Sequence, residues 1–77
     1  MENIVTLEKI PMDREARIYK IKAHGEMKRR ILDLGMIEGT KIKSILQSPL
    51  GDPTAYEVRG SMISLRKEDA SQIQVIL

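Results

Sequence analysis

Short runs of alternating apolar and polar residues, interrupted once by helical spacing, make up most of this chain. From Glu15 to Ala23 the apolar positions are Ala16 and Ile18, then Tyr19, Ile21 and Ala23, so strict alternation slips by one residue between Ile18 and Tyr19. That slip predicts a β-bulge, a device that bends a strand and helps a short sheet to curl. Further strands are predicted over Thr40 to Ser48, Thr54 to Arg59, Met62 to Arg66 and Gln72 to Leu77. In these, Tyr56, Val58, Ile63, Leu65, Ile73, Val75 and Leu77 face a common interior. Gly60-Ser61 predicts a two-residue hairpin connection, making its flanking strands antiparallel neighbours.

The period changes from Glu26 to Leu34, where Met27, Ile31 and Leu34 form one stripe and Arg29 and Asp33 lie opposite, one turn apart. This predicts a helix too short to stand alone, docked by its stripe. Gly35 ends it by taking a left-handed conformation, and Glu38-Gly39 reverses the chain. Thr6 is placed to cap a brief turn through Leu7-Glu8-Lys9-Ile10, stopped by Pro11, which would lie as a lid on one end of the fold. Ser48-Pro49-Leu50-Gly51-Asp52-Pro53 holds two prolines and a glycine, so it is a loop. Lys67 to Ser71 is read as a single helical turn. The expected fold is all-β: a small, closed or nearly closed barrel of five to six short strands with one inserted helix. A Src-homology-3-like (SH3-like) barrel fits best, because the competing oligonucleotide-binding barrel carries its helix later in the chain.

With 77 residues the chain is read as a single domain, 1–77, of a size that buries only about 60% of its unfolded surface. There is no cysteine, so aliphatic packing replaces disulfides and thiolate metal sites. Neither a signal peptide nor an apolar membrane span is evident, which gives a cytoplasmic expectation without direct membrane insertion. The net charge of +2 is too small to demand a polyanionic partner, and only Tyr19 and Tyr56 are aromatic. Nucleic acid is therefore not the expected partner, although a small basic barrel binding it remains the alternative class.

Candidate chemistry is sparse. His24 stands near Glu26 without the further ligands a transition metal needs, and Asp52, Glu57, Glu68 and Asp69 match no cation-binding loop. No nucleophile, base and orienting group can be assembled, so the chain is read as non-enzymatic, with no cofactor. Candidates for a partner surface are the basic run Lys28, Arg29 and Arg30, Asp52, and the apolar residues Met36, Ile37 and Leu50, which suit either one shared patch or a cover over the barrel. The basic run equally suits a solvated helix face, with Arg30 pairing back to Glu26. Arg59 and Arg66 are expected to point outward and pair with Glu57 and Glu68 across the sheet. Gly35, Gly39, Pro49, Gly51, Pro53 and Gly60 are read as structural turn residues.

Taken together, Thr6-Leu7 with Ile10, Ala16-Arg17-Ile18, Gly25, Lys28 through Met36, Glu38-Gly39-Thr40, Pro49 through Pro53, Val58-Arg59-Gly60, and Leu65-Arg66 with Glu68 and Ala70 resemble the FeoA family. This family comprises small accessory proteins of bacterial ferrous iron uptake. The resemblance implies an SH3-like barrel acting with the large membrane ferrous iron transporter through its cytosolic GTP-binding domain. Ferrous iron is then the transported species, and transition-metal binding is implied at family level alone. A second implied possibility is a metal-responsive module related to the terminal domain of iron-dependent repressors. Two departures stand out: Met12-Asp13 where the family often has Pro-Gly, and Glu38 where it often has Pro.

Overall fold

The computed structural model describes residues 3–77. Its strands are β1 (Ile4–Thr6), β2 (Glu15–Ile21), β3 (Lys41–Gln47), β4 (Thr54–Val58), β5 (Ser61–Leu65) and β6 (Ile73–Ile76). Helix α1 (Gly25–Asp33) follows β2, and the one-turn helix α2 (Lys67–Ala70) precedes β6. All strand pairs are antiparallel, in the order β1-β6-β2-β3-β4-β5. The six strands exceed the five read from alternation, because β1 is too short to show a period. Its pairing with β6 sets Ile4 opposite Ile76 and Thr6 opposite Gln74. The order has two ends, β1 and β5, so no ladder among the described residues closes the sheet.

Two bulges bend it. Pairing of β2 with β6 shifts register between Ile18 and Lys20, leaving Tyr19 as the extra residue, and β3 slips against β4 between Ser44 and Leu46. The first bulge is the predicted slip, and it leaves Tyr19 exposed. The hairpin joining β4 to β5 also differs by one residue. Val58 pairs with Ser61, so the loop is Arg59-Gly60, with φ of 52° and 82°. Both values are left-handed, as a twist-matched two-residue turn requires. Arg59 is therefore a turn residue and not an outward strand position. Glu57, its expected partner, sits between Lys43 of β3 and Met62 of β5.

Leu7, Ile18, Ile31, Met36, Ile42, Val58, Ile73 and Val75 form the fully buried centre. Leu7 and Ile10 bury the turn after β1, where Ile10 N–H donates to Leu7 O at 3.2 Å. Thr6 occupies the capping position, but its hydroxyl donates to Glu8 Oε1 at 2.9 Å instead of accepting from the backbone. Asp13 has φ of +63° in a turn closed by Arg14 N–H on Pro11 O at 3.1 Å. That conformation is glycine's default, and aspartate is among the few side chains that tolerate it.

Tyr56 lies in the core 2% exposed, and its hydroxyl is held above the ordinary value of 10.0, chiefly by burial and further by Glu8 and Asp52, while a hydrogen bond with Thr54 opposes. The folded state thus favours the neutral phenol. This contribution is intact below pH 10 and is lost as pH rises through the folded value, because the unfolded chain releases the proton first. Urea midpoints are expected to fall above pH 10, and more shallowly in Tyr56→Phe; identical alkaline slopes would contradict this account.

Candidate functional site

The candidate surface is built on α1 and the segment after it. Ile31 is 1% exposed and Met27 packs partly against the core, so that stripe is the docking side of the helix. Lys28, Arg29 and Arg30 are all exposed. Leu32 is exposed as well and lies one turn from Lys28 on the same face. With Leu34 and Ile37 also open to solvent, the basic run is accompanied by apolar side chains at the end of the helix. Sequence periodicity assigned Leu34 to the buried stripe and missed Leu32. The signal for Leu32 was its distance in angle from Met27 and Ile31.

Met36 does not belong to this surface. It is fully buried, which corrects its reading as a partner contact. The helix ends in a Schellman motif: Gly35 N–H donates to Leu32 O at 2.9 Å and Met36 N–H to Ile31 O at 3.3 Å. Gly35 supplies φ of +87°, and the motif turns Met36 inward to join Ile31. The Arg59 Cδ lies 3.6 Å from where a Cβ on Gly35 would stand. The turn between β4 and β5 thus brings a cation to the helix C-terminus, where the backbone dipole favours positive charge.

Past the helix, Gly39 N–H donates to Ile18 O at 2.7 Å, and Ile18 N–H to Thr40 O at 2.9 Å. Arg17 Nη1 adds a bond to Gly39 O at 3.2 Å. Ile37 is thereby held beside the start of β3.

Leu50 lies at the other end of that strand and is 94% exposed. A strand of this length spans about 20 Å, so Ile37 and Leu50 do not share a patch, contrary to the expectation. The loop itself is ordered by its own polar groups. Ser48 Oγ donates to Asp52 O at 2.9 Å and accepts from Leu50 N–H at 3.2 Å, while Gln47 Nε2 donates to Gly51 O at 2.9 Å. Asp52 Oδ1 accepts from Lys67 N–H at 2.8 Å. Its carboxylate therefore caps α2 across the fold, a local role that its inclusion among partner contacts overlooked. Exposed apolar residues that the sequence reading did not single out include Leu46 and Met62.

His24 occupies the N-cap position of α1, exposed and with no side-chain capping bond. Among the described residues no group of three or more His, Cys, Asp or Glu side chains is placed to hold a metal ion. No helix among them is long and apolar enough to cross a membrane.

The FeoA domain model matches residues 5–77. The chain belongs to the FeoA domain family. It is 36% identical over 63 residues to an Fe(2+) transport protein A/Fe(2+) transporter FeoB fusion protein of Porphyromonas gingivalis, a match covering 82% of this chain and 8% of that protein. This FeoA domain thus spans a small fraction of the fusion protein. A putative Fe(2+) transport protein A of Campylobacter jejuni is 32% identical over 73 residues, covering 95% of this chain and 99% of that one. The zinc complex of FeoA from Stenotrophomonas maltophilia, a procaryotic SH3 domain protein, superposes with a TM-score of 0.82 at 24% identity, covering 92% of this chain and 88% of that one. The fold is accordingly SH3-like, as the order of elements predicted. A manganese-dependent transcriptional repressor also contains the fold, with a TM-score of 0.87 at 13% identity over 99% of this chain and 42% of the repressor.

Proposed function

We propose that this chain is a non-enzymatic accessory domain of bacterial ferrous iron uptake, working in the cytoplasm on the membrane transporter through the transporter's GTP-binding domain. The observation that carries the reading is the relative in which transport protein A and the FeoB transporter are one polypeptide. Covalent linkage raises the effective concentration of two modules for each other, a benefit only if they meet. Iron is the cargo of this process and not a resident ligand of the domain.

The α1 surface is the contact we assign. Lys28, Arg29 and Arg30 supply charge for steering, and Leu32 and Ile37 supply apolar area that water leaves on contact. Calorimetry with an isolated transporter GTP-binding domain tests this. The pair Arg29→Glu and Arg30→Glu is expected to weaken binding about tenfold, mostly at low salt. Absence of binding in every nucleotide state would reject the partner. Unchanged affinity in the charge-reversed protein would reject the surface.

A further inference from the structure

Strand β5 ends the sheet, and the direction of its peptide groups follows from its hairpin. Because the loop is the two residues Arg59-Gly60, Val58 and Ser61 form the hydrogen-bonded pair beside it, and the pattern alternates from there. Ser61, Ile63 and Leu65 aim their peptide groups at β4. Met62 and Ser64 aim theirs the other way, so each presents an N–H and a C=O on an edge that no other strand among the described residues pairs.

Protein edges are normally blunted by charge, proline or a bulge. The segment Ser61–Leu65 carries no charged residue and no proline, and it pairs with β4 without a register shift. Its Met62 side chain is 66% exposed on the outer face, alternating with the buried Ile63 and Leu65. Basic residues bracket this uncharged stretch: Arg59 in the preceding turn, and Arg66 and Lys67 directly after it, all exposed.

We propose that β5 accepts an extended segment of another protein as an added strand, the segment being uncharged in its middle and bounded by carboxylates. Backbone bonds to Met62 and Ser64 hold the strand, and the bracketing cations select its ends. A second copy of this chain is the poorer occupant. Antiparallel pairing of two β5 strands about Ile63 sets Arg59 of each copy opposite Lys67 of the other, placing like charges together at both ends. The proposal uses none of Lys28, Arg29, Arg30, Leu32 and Ile37, so it stands or falls apart from the transporter reading.

The test is amide exchange and chemical-shift mapping of the full chain with a synthetic peptide of alternating valine and threonine bounded by two aspartates at each end. Met62 and Ser64 amides are expected to gain protection, while the same peptide bounded by lysines does not bind. Arg66→Glu is expected to weaken binding roughly fivefold. Ser64→Pro removes an N–H that points away from β4, a change that edge strands tolerate, and is expected to abolish docking in a folded protein, whereas Ser64→Ala retains it. If Ser64→Pro does not fold, Met62→Glu serves instead, its new carboxylate repelling the aspartate-bounded peptide. Failure of that peptide to bind, protection elsewhere, equal binding of the lysine-bounded peptide, undiminished docking to the Ser64→Pro or substitute variant, or self-association through β5 would each overturn the proposal.

Discussion

Met36→Ala is expected to lower the unfolding free energy by about 2–5 kcal/mol, while Ile37→Ala beside it changes the value by less than about 0.5 kcal/mol. The contrast rests on burial. Met36 is fully enclosed at the end of α1, beside Ile31, and Ile37 is 45% exposed. Removing the methionine forfeits its transfer free energy and leaves a cavity beneath the helix, which buries no other residue as completely as Ile31. For a domain of this size, total stability is roughly 4–12 kcal/mol, so the first variant loses a large share of it. Urea titration followed by circular dichroism gives both numbers. Equal effects at the two positions would show that the inward turn after the helix is misassigned.

Gly35→Val is expected to be the next most damaging change, costing about 1–3 kcal/mol, with Gly35→Ala at the lower end of that range. The residue holds φ of +87°, a region in which any Cβ crowds the following carbonyl oxygen. Space is not the difficulty, since the nearest side-chain atom to an added Cβ is the Arg59 Cδ at 3.6 Å, an ordinary contact. The strain is in the backbone. Relieving it would break the bonds from Gly35 and Met36 to Leu32 and Ile31, loosening the last turn of α1 and the burial of Met36 together. The two predictions are therefore coupled: Gly35→Val combined with Met36→Ala should cost less than the sum of the singles. Thermal melts of the single and double variants measure this, and strict additivity would argue that the motif does not seat Met36.

Strands long enough to repeat a period were legible in the sequence, and so were the helix, its glycine stop and the Tyr19 bulge. Short-range chemistry carries those features. What stayed hidden depends on neighbours far along the chain. Three residues of β1 have no period, and only β6 makes them a strand. The hairpin was misplaced by one residue because Arg59 adopts a conformation that bulky side chains avoid, whereas Gly60-Ser61 looked like the more ordinary pair. Met36 and Ile37 could not be told apart because adjacent apolar residues past a helix look alike until the C-terminal hydrogen bonds fix which one turns inward. Asp52 could not be recognised as a cap, since its acceptor role joins residues fifteen apart. Of the candidate partner surface, the charges were visible, but Leu32 was not, because exposure of a leucine is settled by which side of α1 meets the sheet.

The pairing of β1 with β6 has one more outcome. Ile4 faces Ile76, and Leu77 N–H donates to Asn3 O at 3.0 Å, so the polypeptide enters and leaves the domain at one spot. Such a unit can be spliced into a surface loop of a host protein, or be joined from Asn3 to Leu77 and opened anew at the Leu50 tip, with no strand of the sheet having to be rethreaded.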